Sequence, residues 1–121
     1  MRTMTKSFPF RIRKQYFDQI MNGDKTVEYR PDSPFWQHRL LPYCNVDLHQ
    51  ASLKALKDDL VAVFVSGPRV HRRSIVLIAR VLTPPFSKQG MKDVPTDRCF
   101  EIHLGQERTG WEGLRRERKE F

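Results

Sequence analysis

Two near-continuous apolar runs, Val61-Ala62-Val63-Phe64-Val65 and Ile75-Val76-Leu77-Ile78-Ala79, constrain the fold of this 121-residue chain more than any other feature. Each is short and rich in β-branched residues, so each predicts a strand buried on both faces. Gly67 and Pro68 lie between the runs and predict the turn of one hairpin or barrel.

The other elements follow from changes of period. Phe8, Phe10 and Ile12 alternate with other residues and predict a first half-buried strand over 8–12. Tyr16, Phe17, Ile20 and Met21 then recur at helical spacing, and Asn22-Gly23 stops that helix, because glycine tolerates the left-handed conformation beyond a helix end. Residues 26–30 predict a strand with Val27 and Tyr29 on one face and Thr26, Glu28 and Arg30 on the other, Tyr29 being the core-facing aromatic. Ser33 as N-cap and Pro34 at the first helical position open a short helix carrying Phe35, Trp36 and Leu40. An amphipathic helix is expected over 47–59, a loop or a short turn of helix over 87–95, and a last strand over 99–104 in which Phe100, Ile102 and Leu104 alternate with Cys99, Glu101 and His103.

Five or six strands with short helices indicate an α+β domain built on a small twisted barrel. At this length one domain over 1–121 is the expectation, with a charged tail from about 112 that can fray. Cys44 and Cys99 lack any CxxC spacing and read as free thiols, and the four histidines form no paired ligand motif. Neither a metal nor a cofactor is expected.

Lys and Arg number 22 against 14 Asp and Glu, giving a net charge of +8. Such an excess favours a polyanionic partner, because lysines and arginines gain affinity by releasing counterions from phosphates. No apolar run approaches the roughly 20 residues of a membrane-spanning helix, and no N-terminal segment reads as a signal peptide. A nucleic acid, whether RNA or DNA, or a nucleotide is therefore the expected partner, in the cytoplasm, and a membrane is not.

The chemistry-bearing element is Gly23-Asp24-Lys25-Thr26-Val27-Glu28-Tyr29-Arg30, in spacing GxKxxExR. A glycine turn runs straight into a strand, so Lys25 projects from its start while Glu28 and Arg30 leave one face two residues, or about 7 Å, apart. A carboxylate there can accept hydrogen bonds from a base edge, a guanidinium can grip phosphate with two donors, and a lysine can bind an anion or carry a proton. The structural alternative is a solvated strand face with charges paired across it.

Tyr16-Phe17-Asp18-Gln19-Ile20, the GxKxxExR element, and the stretches 61–67 and 75–81 together resemble the ASCH family, named after the activating signal cointegrator homology domain. The resemblance spans about residues 8–104. It implies a PUA-like β-barrel whose basic cleft receives Lys25, Glu28 and Arg30 and binds RNA. Some bacterial relatives are amidohydrolases that deacetylate N4-acetylcytidine with a Lys, a Thr and a Glu, and others are described as ribonucleases. Here Lys25 matches that lysine, but Glu28 stands where the deacetylating subgroup has its threonine. A carboxylate does not replace a hydroxyl nucleophile in amide hydrolysis, which leaves Thr26 as the nearby hydroxyl candidate.

Two further features bear on binding. Residues 61–90 contain no acid but do contain Arg69, His71, Arg72, Arg73, Arg80 and Lys88, a candidate phosphate-tracking patch or an ordinary basic hairpin. Phe35 and Trp36 are either a stacking platform for a base or core aromatics. The leading expectation is a binding module using Lys25, Glu28, Arg30, Trp36, Arg69, Arg72 and Arg73. Its rival is a hydrolase or ribonuclease in which Lys25 and Glu28 transfer protons. An adaptor that docks an acidic protein is a third reading. The arginine-rich run near 115–119 is interrupted by acids and reads as a solvated face.

Overall fold

A computed structural model describes residues 4–45, 58–81 and 98–109 of the chain. The two apolar runs lie in strands that are longer than the runs themselves. In chain order the elements are β1 (Met4–Arg11), α1 (Lys14–Asn22), β2 (Val27–Pro31), α2 (Pro34–Leu40), a tight helical turn (Leu41–Tyr43), β3 (Asp58–Ser66), β4 (Arg69–Val81) and β5 (Arg98–Glu107). The strands form one mixed sheet in the order β1-β3-β4-β5-β2, parallel at β1–β3 and antiparallel elsewhere. The class is thus α+β, with two short helices on a five-stranded sheet.

The apolar runs are continuous because both faces of the sheet are covered at this point. Phe8 opposite Ala62 and Phe10 opposite Phe64 build the main core with Phe17, Ile20, Leu40, Leu77, Phe100 and Ile102. By alternation Val61 and Val63 point away from that core, yet both are buried. Phe10, Phe64 and Phe100 are among the largest fully buried side chains, each contributing roughly 1.5–3 kcal/mol by leaving water.

The expected barrel is not closed among the described residues. β1 and β2 stand at opposite margins of the ladder, and no backbone ladder joins them among the described residues. The two margins are joined by a side chain instead: Arg30 Nη2 on β2 donates to the Arg11 carbonyl on β1 at 3.1 Å.

Other expectations shift at their edges. β1 begins four residues before Phe8 because its ladder with β3 runs from Met4 opposite Asp58 to Arg11 opposite Val65. The same ladder makes Asp58 and Asp59 strand residues, not the end of a helix, and the rest of the expected 47–59 helix lies outside the described residues. Asp59 is held there by Arg108, which donates to both carboxylate oxygens at 2.7 and 3.0 Å, and by the Thr5 hydroxyl at 2.9 Å. Met21, expected on the apolar face of α1, is exposed. The expected 87–95 loop and the charged tail also lie outside the described residues. None of the described helices is long and apolar enough to cross a membrane.

Candidate functional site

The site is assembled by the way α1 ends. Gly23 adopts φ 85°, a left-handed conformation that suits glycine, and the next two backbone N–H groups, of Asp24 and Lys25, both donate to the Gln19 carbonyl at 2.9 and 3.1 Å. This cap turns the chain into β2 and fixes where Lys25 departs. On β2 the register sets Glu28 opposite Ile102 and Arg30 opposite Phe100, two core residues, so the charged face of the strand is the face turned toward the core. Tyr29, expected inside, instead packs on the other face against Cys99 and is only half-buried. The alternation was read correctly and the assignment of the inner face was inverted, because an acid and an arginine occupy the inner positions.

Glu28 is the centre of the arrangement. Its side chain is 3 % exposed, and that of Lys25 is 8 % exposed. Oε1 accepts from the Tyr29 N–H at 2.8 Å and lies 3.5 Å from both Lys25 Nζ and Arg30 Nη1. Oε2 is buried and has no hydrogen-bond partner among the described residues. A buried carboxylate oxygen left in that state costs on the order of 1–3 kcal/mol or more, so a missing donor is its natural complement.

The two cations hold different positions. Lys25 Nζ sits 5.1 Å from the centre of the Tyr16 ring and 5.8 Å from that of Tyr29, close enough for cation–π attraction. Arg30 donates to the Tyr29 carbonyl at 2.8 Å as well as to Arg11, and its guanidinium carbon lies 5.3 Å from the Phe10 ring centre and 5.5 Å from that of Trp36. Burial lowers the Arg30 pKa from its ordinary value, and the Glu28 charge opposes that shift. An arginine so placed stays charged.

A cavity of about 310 Å³ opens at this point, lined by Arg11, Ile12, Arg13, Tyr16, Glu28, Arg30, Pro31 and Trp36. Its size is at the lower end of small-molecule sites, roughly 300–1,000 Å³. Glu28, Arg30 and Trp36 are brought together on it as expected from the sequence. Lys25 is not part of its wall, although its Nζ lies 3.5 Å from Glu28 Oε1, and Thr26, the hydroxyl candidate, is exposed on the surface. Arg11, Arg13 and Tyr16 are wall residues that the motif did not reveal. The basic run Arg11-Ile12-Arg13-Lys14, placed just before the Tyr-Phe helix, was the available signal.

Trp36 owes its place to the cap of α2, where the Ser33 hydroxyl accepts from the Trp36 N–H at 3.4 Å and Pro34 opens the first turn. Its ring stacks on Phe10 with centres 5.4 Å apart and planes 22° apart. Phe35 is 54 % exposed and carries the Arg39 guanidinium 4.2 Å from its ring centre.

The arginines of the hairpin are elsewhere. Arg69, Arg72 and Arg73 are strand residues of β4, not loop residues, and none lines the cavity. Arg69 pairs with Asp18 at 2.8 Å and stacks over Phe17, and Arg73 Nε donates to the Gly105 carbonyl at 2.6 Å. Hydrogen bonds from Arg69 and Lys14 hold the Asp18 carboxyl below its ordinary value. The expected continuous patch is therefore partly satisfied by the protein itself. The side chain of Arg80, and Lys88 altogether, lie outside what is described.

Cys44 and Cys99 are not joined in a disulfide, and the Cys44 thiol donates to the Leu40 carbonyl. His103 and Glu101 contact each other at 2.9 Å on the outward face of β5, away from Glu28. Among the described residues no group of three or more His, Cys, Asp or Glu is placed to hold a metal ion. Compared with protein-family models, with curated proteins and with solved structures, the chain finds no match in any of the three.

Proposed function

We propose that the protein is an ASCH-type binding module that takes an unpaired nucleobase, of a nucleotide or of RNA in the cytoplasm, into the cavity beside Glu28. The observation that carries this reading is that Glu28, whose buried Oε2 has no hydrogen-bond partner among the described residues, lines a cavity together with Arg11, Arg13, Arg30, Tyr16 and Trp36. A carboxylate in that position accepts from an exocyclic amine, as on cytosine, adenine or guanine. Arg30 has five donors and gives two of its bonds to backbone carbonyls, so further donors remain for a ring carbonyl or a phosphate oxygen. Trp36 and Tyr16 supply aromatic walls against which a base can stack, an interaction worth about 1–3 kcal/mol.

Binding is favoured over catalysis by where the proton carriers sit. Neither Lys25 nor Thr26 is on the wall of the cavity. Hydrolysis of a modified nucleoside would require one of them to reach the ligand.

The test is a calorimetric titration with cytidine, adenosine, guanosine and uridine, followed by short single-stranded RNA. At least one amine-bearing nucleoside is expected to bind more tightly than uridine, and Glu28→Gln is expected to weaken it about 10- to 100-fold, the equivalent of roughly 1.5–3 kcal/mol for a hydrogen bond to a charge. Absence of binding to every nucleoside and RNA, or indifference to Glu28→Gln, would rule the reading out. Turnover of N4-acetylcytidine that disappears in Lys25→Ala would replace it with the hydrolase.

A further inference from the structure

The two oxygens of Glu28 are not equivalent. Oε1 accepts from the Tyr29 N–H at 2.8 Å, and Lys25 Nζ and Arg30 Nη1 each stand 3.5 Å from it. Positive partners converging on one atom leave it little capacity for a guest. Tyr29 and Lys25 are absent from the cavity wall, whereas Glu28 is on it. The acceptor left for a ligand is therefore Oε2, buried and without a hydrogen-bond partner among the described residues.

Arg30 follows on the same face of β2 and shares that wall. Its Nη1 and Nη2 donate to the Tyr29 and Arg11 carbonyls. A guanidinium has more donors than those bonds use, and the bonds hold it beside the carboxylate. One free acceptor thus stands next to a group that can only donate.

A base taken out of its stack is recognised by matching each group on its Watson–Crick edge. Cytosine and adenine present there an amine beside an unprotonated ring nitrogen, a donor next to an acceptor. Guanine presents two N–H groups side by side, which a carboxylate takes with both of its oxygens. With Oε1 already engaged, the second guanine donor meets either that crowded oxygen or Arg30 and is buried unpaired. Uracil sets a carbonyl against the carboxylate and a ring N–H against the arginine.

We infer that Glu28 Oε2 and Arg30 together read a base edge on which one amine adjoins an unprotonated ring nitrogen, so that cytosine and adenine are admitted while guanine and uracil are rejected. The inference rests on the proposed base site and narrows its ligand. Tyr29 and Lys25 enter as positioning residues: by occupying Oε1 they turn a carboxylate that could accept at both oxygens into one that accepts at a single oxygen.

The experiment is calorimetric titration of the wild-type protein with nucleosides and edge-altered analogues. Cytidine or adenosine is expected to bind about tenfold or more tightly than guanosine and uridine. For the tighter of the two, replacing the amine by hydrogen, or the adjacent Watson–Crick ring nitrogen by C–H, should each cost about tenfold, since each removes one hydrogen bond to a charged group. In Glu28→Gln the amide oxygen takes the place that the Tyr29 N–H requires, and the amide nitrogen, a donor, falls where Oε2 was. Cytidine and uridine then each match one partner and oppose the other, so their affinities should come within about threefold. The analogue series needs no variant and decides the question even if Glu28→Gln does not fold. Guanosine bound within about twofold of the better amine nucleoside, or indifference to loss of the ring nitrogen, would overturn the edge reading. If all amine-bearing nucleosides bind equally and above uridine, the edge reading falls and the base site stands. If no nucleoside binds, both fall.

Discussion

The chain has two concentrations of charge, one on β2 and one on β4, and they are satisfied in opposite ways. On β4, Arg69 meets Asp18 and Arg73 meets the Gly105 carbonyl, so the protein answers its own cations near the surface. On β2, Lys25, Glu28 and Arg30 are turned inward, and one oxygen of the central carboxylate is left without a donor. Density of charge along the sequence therefore does not locate a site; unsatisfied hydrogen-bonding capacity beside a cavity does. The hairpin arginines contribute to the general positive field, and under the proposed function the specific chemistry would belong to β2.

The strongest way to break this comparison is Glu28→Ala. It leaves Lys25 and Arg30 buried without their shared counter-charge, which is expected to cost about 3–5 kcal/mol of folding stability, read from urea denaturation. A loss below about 1 kcal/mol would mean that the β2 cluster is as dispensable as a surface pair.

A smaller effect is expected from His71 on β4. Burial holds its pKa below the ordinary value, Arg73 adds to the shift and the Glu107 charge opposes it. The unfolded chain takes up a proton near pH 6.5, before the folded chain does, so stability should fall as pH drops through about 6.5 and level off below the folded value. Denaturation midpoints measured between roughly pH 8 and pH 5 check this, with His71→Gln expected to flatten the profile. Midpoints that rise on acidification would reverse the assignment.

Least of all should happen with Arg69→Ala. Its pair with Asp18 is exposed and screened by solvent, so it contributes little to stability. Nucleoside affinity should stay within twofold of the wild type. A larger loss in either measurement would place the β4 arginines among the functional groups and erase the contrast with β2.

Much of this was legible in the sequence where one physical signal dominated. The runs at 61–65 and 75–79 announced doubly buried strands, and Gly23 and Ser33 marked helix limits that the structure places at those residues. Glu28, Arg30 and Trp36, singled out in the sequence, share the wall of one cavity. The inner face of β2 was not legible, because hydrophobic alternation assigns the core to Val27 and Tyr29 and nothing local reveals that a buried cavity needs charge. Lys25 was placed on the cavity wall since strand periodicity says nothing about a residue just outside the strand. Arg11 and Arg13 escaped because their part in the cavity depends on β1 meeting β2 across the molecule, a long-range event absent from any short motif. The helix expected to run to 59 gave way at Asp58 and Asp59 for the same reason: their pairing with Met4 and Thr5 is decided more than fifty residues away.

The fastening of the sheet margins by Arg30 has a mechanical consequence. A seam held by one guanidinium can be undone by one competitor, whereas a backbone ladder must be unzipped bond by bond. Any guest that draws Arg30 away from the Arg11 carbonyl loosens β1 from β2, and any guest that braces it locks them. Under the proposed function, occupancy of the cleft would be coupled to how firmly β1 is held to β2.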